Sequence, residues 1–339
     1  MMGRNVLREL ELYNIKSIEQ LVRELESLEP LQVNFHSDAD GIGACALLAC
    51  AFEIEESKEW PRSPAVFGGY RDGHIALDLG APLFRDKWKG KIVIDHHDHI
   101  GEITYKLVLG SVPTGLMIYK LFKDRIPAEK TWLAVLSCVG DGQPEIIPDE
   151  IWDTVKELWD MQGNIYMDRY KNIKSYPYPL FSKLSSPVNA LCRTGDVMGA
   201  YSIVRSARSL RDVINNPKAI RAQNEISSEI DRIFNDSSNP LVIEKIGHFA
   251  IVRFRSKSWI ASRVATMLQS SDRYVTYLVI NETNREVSIR GIQAKYLANK
   301  LASIGYLCGG HYGFAACTLL PNQDIESFVS RLRKVLSML

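Results

Sequence analysis

Val33-Asn34-Phe35-His36-Ser37-Asp38-Ala39-Asp40-Gly41 sets three candidate metal ligands, His36, Asp38 and Asp40, at the end of an apolar run. If residues 31–35 form a short buried strand and a helix covers 42–52, these side chains fall in a strand-to-helix turn, where open α/β sheets gather their ligands. Clustered carboxylates in such a turn are costly unless a cation or water offsets their charge. Taken alone, the stretch reads equally well as ordinary helix capping by Asp and Ser.

A second cluster changes the balance. Ile92-Val93-Ile94-Asp95-His96-His97-Asp98-His99 again follows a β-branched run, Asp78 closes the run His74–Gly80, and Asp141 closes an apolar segment that starts at Trp132. Strands are expected over 63–68, 74–80 and 91–95, and helices over 113–122 and 132–141, the alternation of a parallel sheet covered by helices. Together the clusters supply His36, Asp38, Asp40, Asp78, His96 and Asp141, a set of imidazoles and carboxylates without a thiol. Such a set suits Mn²⁺ or Mg²⁺, with Zn²⁺ and Co²⁺ as competitors. Six ligands exceed the needs of one catalytic ion that must also hold water and substrate, which points to two ions about 3.5–4 Å apart.

These residues give the chain its likeness to a known family. It resembles the DHH phosphoesterases, named for the Asp-His-His at 95–97, and residues 36–41 match the family's His-x-Asp-Ala-Asp-Gly motif. Ser186-Pro-Val-Asn189-Ala-Leu-Cys-Arg193-Thr-Gly195-Asp196 resembles the Asn-Ala-x-x-Arg segment of RecJ-type exonucleases, with Cys192 where the family form has Gly. Gly309-Gly310-His311-Tyr-Gly-Phe-Ala-Ala-Cys317 resembles the Gly-Gly-Gly-His-x-x-Ala-Ala-Gly motif of the DHH-associated C-terminal domain. There Cys308 and Cys317 replace glycines, and one extra residue separates His311 from the alanines.

The resemblance implies manganese as the usual metal, Asp78 as the bridge between two ions, and a C-terminal domain that grips a nucleic-acid end or a small nucleotide. Asp78 and His97 are then the catalytic candidates, His97 facing the scissile phosphate or supporting a neighbouring ligand. Arg290, Gly309, Gly310, His311, Asn189 and Arg193 fall on the substrate side. Asp95 is expected to orient a histidine or end its strand, Asp98 and His99 to lie on the surface, and Asn34 stands where some relatives carry a further ligand.

The remainder of the 339 residues sets the frame. A composition of 46% hydrophobic and 24% charged residues is that of an ordinary globular chain and allows two cores. The expected organisation is α/β: an N-terminal parallel-sheet DHH domain over 1–165, a helical connector over 166–238, and a smaller C-terminal α/β domain over 239–339. Within it, residues 5–29 read as a helical lead-in broken near 14–17, 145–184 as irregular to helical, 200–213 and 217–235 as helices, and 236–240 as a linker. Beyond the linker, strands are expected near 249–254, 274–280 and 286–291, and helices near 258–269 and 323–337.

Six cysteines without a Cys-x-x-Cys pair argue for reduced thiols rather than a zinc ribbon or a disulfide framework. The absence of a long apolar run or a leader-like start suits a cytoplasmic protein with no membrane contact. A formal charge of +1 excludes a globally basic nucleic-acid binder and leaves local patches open, among them Arg253, Arg255 and Lys257 as candidate phosphate contacts.

The expected activity is a two-metal phosphodiesterase that cuts single-stranded DNA or RNA, or short oligonucleotides, from an end. A cyclic-dinucleotide phosphodiesterase, an inorganic pyrophosphatase and a replication scaffold that has lost catalysis compete with it. A homodimer, or a replication or repair protein as partner, stays open.

Overall fold

Apolar segments too short to make helices build the first sheet. In the computed structural model, which describes residues 10–63, 72–80, 88–97, 99, 102–155, 179–235, 241–320 and 322–339, β2 (Val33–Phe35), β3 (Ile75–Leu77), β4 (Ile92–Asp95) and β5 (Lys106–Leu109) lie side by side and parallel. β1 (Glu11–Tyr13) pairs antiparallel with β5, giving the order β1-β5-β4-β3-β2. Every residue of β2, β3 and β4 is buried, as expected for parallel strands covered on both faces.

One face, with Phe35, Leu77, Ile94 and Val108, packs on the main core; Ala76, Val93 and Leu107 alternate onto the other, beneath Trp88 and Tyr105. Helix α1 (Ile18–Ser27) starts at Ser17, whose hydroxyl accepts from Gln20 N, and buries Leu21 and Leu25. α2 (Ala39–Ala51) is buried from Ala39 to Leu48 and packs against α3 (Thr114–Phe122) and α4 (Trp132–Gly140). A short α5 (Asp149–Trp152) follows. Then come α6 (Pro179–Arg193), α7 (Val197–Ser206), α8 (Leu210–Ile214) and α9 (Pro217–Asn235).

The second sheet holds β6 (Val242–Ile246), β7 (Phe249–Phe254), β8 (Thr276–Asn281), β9 (Glu286–Arg290), β10 (Leu307–His311) and β11 (Phe314–Thr318), in the order β10-β11-β9-β8-β7-β6. Only β7 and β8 run parallel. Period-2 alternation divides its faces. Ile251, Leu278, Ile280, Val287 and Ile289 share a core with α11 (Ala294–Ser303) and α12 (Ile325–Ser337). Ala250, Val252, Phe254 and Val279, together with Ala261, Val264 and Ala265 of α10 (Ala261–Ser271), join the core of the first sheet. The cores are therefore not one per sheet: the largest runs from the N-terminal strands through α6 and α9 into the second sheet. Among the described residues no helix is long and apolar enough to cross a membrane.

Several expectations need correction. The lead-in is a strand at 11–13 before the helix at 18–27, because Leu10 and Leu12 follow a strand period and Asn14, at φ 59°, turns the chain. β5 had no expected counterpart. Residues 186–193 belong to a helix that begins at 179, since Leu184, Val188, Leu191 and Cys192 repeat at helical spacing and are buried despite Pro187. Cys308 and Cys317 are not free thiols: they face one another across the β10–β11 ladder with Cα atoms 4.0 Å apart and are disulfide-bonded. Such directly opposed positions bring side chains close. The expected strand at 63–68 and the linker at 236–240 lie almost wholly outside the described residues, as do Tyr166, Tyr170, Tyr176 and Tyr178.

Candidate metal centre

Three parallel strands deliver the cluster from their C-terminal ends. His36 follows β2, Asp78 follows β3, and Asp95 closes β4 ahead of His96 and His97. Asp38 caps α2, its carboxylate accepting from Gly41 N at 3.0 Å. A side chain at Gly41 would collide with the His36 backbone, so the glycine lets the helix start hard against the strand end. A Cβ on Gly140 would meet Ala39 and Asp40 N in the same way, and that close approach puts Asp141, the C-cap of α4, beside the start of α2.

Asp78 stands at the middle. Its residue is 1% exposed and adopts φ 59°, a left-handed conformation that Asp tolerates and that recurs at strained functional positions. On one side, its Oδ2 lies 3.5 Å from His36 Nδ1, which is 2.9 Å from Asp38 Oδ2. On the other, Oδ1 lies 3.1 Å from His96 Nε2, which is 3.1 Å from Asp141 Oδ2 and 3.7 Å from Asp40 Oδ2. Three ligand groups interlock: His36 and Asp38 with Asp78, Asp78 with His96 and His97, and His96 with Asp40 and Asp141.

The residues fit divalent cations. Nε2 of His96 faces three carboxylates, and a single proton cannot serve all three. Asp78 Oδ2 is buried without a hydrogen-bond donor at bonding geometry. Asp141 also sits at a helix C-terminus, where the macrodipole disfavours an anion.

No protein-family model matches this sequence, and no curated protein matches it. Solved structures do. RecJ from Thermus thermophilus in complex with Mn²⁺ superposes with a TM-score of 0.62 at 13% identity, over 97% of this chain and 56% of that one. An exonuclease RecJ bound to manganese gives 0.57 at 13% identity, covering 97% and 96%. The DHH domain of a member of the s1p family of ribosomal proteins gives 0.58 at 13% identity, covering 94% and 88%. The chain has the fold of the DHH phosphoesterases. It spans little more than half the length of the Thermus RecJ, and the likeness extends to the fold alone.

Within this DHH fold, groups outside the expected set do much of the positioning. Asp40 is gripped by the N-terminus of α3: Thr114 N and Gly115 N each donate to it at 2.8 Å, and Thr114 Oγ1 lies 3.3 Å from Asp78 Oδ1. A helix N-terminus favours the carboxylate it holds. Sequence reasoning missed Thr114 and Gly115; the only signal was a Pro-Thr-Gly start to an expected helix. Asn189, expected on the substrate side, accepts from Ala39 N at 2.9 Å and so ties α6 to the first motif. The carbonyl of Arg193 accepts from Trp259 N at 2.8 Å, fastening the end of α6 to the approach to α10.

Asp95 organises the histidines. Its Oδ1 accepts from His96 N and His97 N and lies 2.7 Å from His97 Nδ1, while Oδ2 accepts from Gly80 N at 2.9 Å. His99 is not a surface residue: its side chain is 1% exposed, with Nε2 3.3 Å from Asp95 Oδ2 and Nδ1 2.6 Å from the Tyr105 hydroxyl. Trp88 and Tyr105 enclose the ring, which is why an i, i+4 relation to Asp95 turns inward. Asp98 lies outside the described residues.

Asn34 is fully buried in β2. His311 ends β10, its backbone paired with Phe314, and Gly309 and Gly310 belong to the same strand. Arg290 ends β9, its Nη1 donating to Ile289 O and Ala315 O. Arg253 is held by Glu282, just past β8, and by Glu326, whereas Arg255 donates its Nε to the same Glu282 and stays 75% exposed.

Opposed charges fix protonation in the cluster. Burial works against a charged His96 ring, yet Asp78, Asp141 and Asp40 raise its pKa to about 11. Burial pushes Asp141 up to about 7, with Asp78 and Asp38 adding to the rise against His96. Burial and the charges of Asp78 and Asp141 also raise Asp40. Asp78 is instead held low, its histidine partners overcoming burial. A metal needs neutral imidazole and ionised carboxylate. Asp38 and Asp78 raise His36 as well, against burial, so cation binding near pH 7 is expected to expel protons, and affinity to rise with pH through the neutral range. Titration calorimetry in buffers of differing ionisation enthalpy measures both; identical heats and a flat affinity profile would contradict this assignment.

Proposed function

We propose that the protein is a metal-dependent phosphodiesterase that hydrolyses single-stranded DNA or RNA, or short oligonucleotides, from an end. The observation behind this reading is the Asp78 carboxylate set between His36, which stands with Asp38, on one side and His96, which stands with Asp40 and Asp141, on the other. Two such ions, manganese first among candidates, would supply Lewis acidity for activating water and for offsetting charge on a reacting phosphate. Solved structures of similar fold include an exonuclease RecJ bound to manganese, which supports the same choice.

The protein's own groups divide the remaining work. His97, its Nδ1 beside Asp95 at the edge of the cluster, is raised in pKa by Asp95 and Asp78 against burial, which favours the protonated ring. Asn189 keeps the first motif in place. Burial lowers the pKa of the Arg193 guanidinium and Arg263 adds to the fall, while Glu286 and Asp38 oppose it. The Asn189–Arg193 segment and Gly309-Gly310-His311, which resemble motifs of nucleotide-processing relatives, favour an oligonucleotide over pyrophosphate. In this reading residues 1–165 hold the ions, 166–238 connect, and 239–339 grip substrate, in the cytoplasm. The intact His and Asp set speaks against a scaffold without catalysis.

Labelled linear and circular single strands of DNA and RNA with Mn²⁺, the products resolved by length, test the reading. Mononucleotides from linear strands and survival of circles are expected. Rapid cutting of circles would refute action from an end, and cleavage of no strand would refute the phosphodiesterase. Arg290→Ala separates grip from chemistry. A lost charged hydrogen bond of roughly 1.5–3 kcal/mol lowers kcat/KM for oligonucleotides on the order of 10- to 150-fold. The loss for bis-p-nitrophenyl phosphate, which has no second phosphate, is expected to be much smaller. Equal losses on both substrates would put Arg290 in the catalytic centre.

A further inference from the structure

Side chains that pair across an antiparallel ladder share a face, so the register of the second sheet shows what its outer edge presents. Phe314, Ala316 and Thr318 of β11 stand opposite Arg290, Ser288 and Glu286 of β9, with Leu307 and Gly309 of β10 beyond them. The opposite face of the same strands, with Val287, Ile289, Ala315 and the Cys308–Cys317 bridge, is sealed in the core. On this face Ser288 is buried and Glu286 accepts from Ala261 N, so the open part is the β10–β11 edge, where Gly309 and Ala316 are exposed and which ends at a large ring.

That ring is Phe314. It is 52% exposed, and the guanidinium of Arg290 lies over it at 4.9 Å from the centroid. Two further apolar side chains stand out at the same end, Tyr312 at 73% exposure and Ile292 at 62%. Their turns are tied together, since Gly291 N donates to Gly313 O at 3.1 Å, and Gly310, at φ 147°, runs too close to Phe314 O and Ala315 for any side chain. Scattered apolar side chains on a surface need no explanation. A clustered set on a fixed hairpin, beside a cation stacked on one of its rings, offers a planar π-face next to positive charge. A nucleobase attached to its phosphate has the complementary chemistry, one flat ring and one anion.

The geometry points to Phe314 as a base-stacking residue: it takes the terminal nucleobase of a single-stranded nucleic acid on the ring face away from Arg290, while Arg290 meets an adjoining phosphate. This rests on the phosphodiesterase reading and narrows it to substrates with a base at the gripped end, excluding bare polyphosphates. Phe314 stands at the tip of this hairpin, paired with His311 across the turn.

The test compares kcat/KM, with Mn²⁺, for an intact thymidine heptamer and for heptamers abasic at the first or the last residue, which differ from it in base but not in charge. The parent protein is expected to prefer the intact strand over one of the end-abasic strands by roughly 5- to 150-fold, the worth of one base–aromatic stack. Phe314→Ala and Phe314→Leu should bring that ratio close to one, and Phe314→Trp should keep it. The ratio is internal to each variant and insensitive to how much of it folds. Turnover of all three heptamers at equal rates by the parent, or an unchanged preference in Phe314→Ala, would overturn the stacking role while leaving the phosphodiesterase reading intact. Failure to cut any heptamer would remove both.

Discussion

Replacing Asp78 by Asn is expected to cut phosphodiester hydrolysis by about 1,000-fold or more, since losing even one ion's stabilisation of a reacting phosphate forfeits several kcal/mol. Asn tolerates the left-handed backbone that Asp78 adopts, so the change tests charge rather than conformation. Without the shared carboxylate, two cations held by His36 and Asp38 on one side and by His96, Asp40 and Asp141 on the other would repel one another at short range. One ion per chain, rather than two, is the expected content. A variant that keeps more than about a tenth of the parent rate would remove Asp78 from the bridging position.

Exhaustive chelation has the other large expected effect: hydrolysis falls to background and Mn²⁺ restores it. A second readout does not depend on turnover. Asp38, Asp40, Asp78 and Asp141 converge in the folded chain and separate in the unfolded one, so a cation binds the native state preferentially. At 100 times its dissociation constant it adds about 2.7 kcal/mol of stability. Thermal unfolding should therefore shift upward with Mn²⁺ and shift less in Asp78→Asn, which keeps one ion of the two. Full activity after chelation, or a melting temperature blind to the metal, would contradict the site.

Much of this centre could be read from letters because its chemistry resides in side chains. His36, Asp38, Asp40, Asp78, His96 and Asp141 each announce a ligand atom, and the strand-end turns that hold them are marked by apolar runs. What escaped notice acts through the backbone or through register. Thr114 and Gly115 grip Asp40 with main-chain N–H groups that every residue except proline possesses. β1 and β5, three and four residues long, are too short for periodicity to separate from loop. Cys308 and Cys317 become partners only once the β10–β11 ladder sets them opposite one another, and a spacing of nine residues does not reveal that. His99 misled for a different reason: among charged neighbours it looks solvated, whereas Trp88 and Tyr105, distant in sequence or role, enclose it.

The shared core has a consequence for how the molecule breathes. Ala250, Val252 and Phe254 of the second sheet rest on the same apolar mass as Phe35 and Leu77 of the first, so neither sheet can shed the other without wetting its own interior. Swinging the halves apart as free bodies would cost transfer of that surface to water, roughly 25 cal/mol for each Å² exposed. Amide hydrogen exchange should accordingly find β3 and β8 released in one common opening event, and an oligonucleotide held at both sheets should slow exchange in the two strands together.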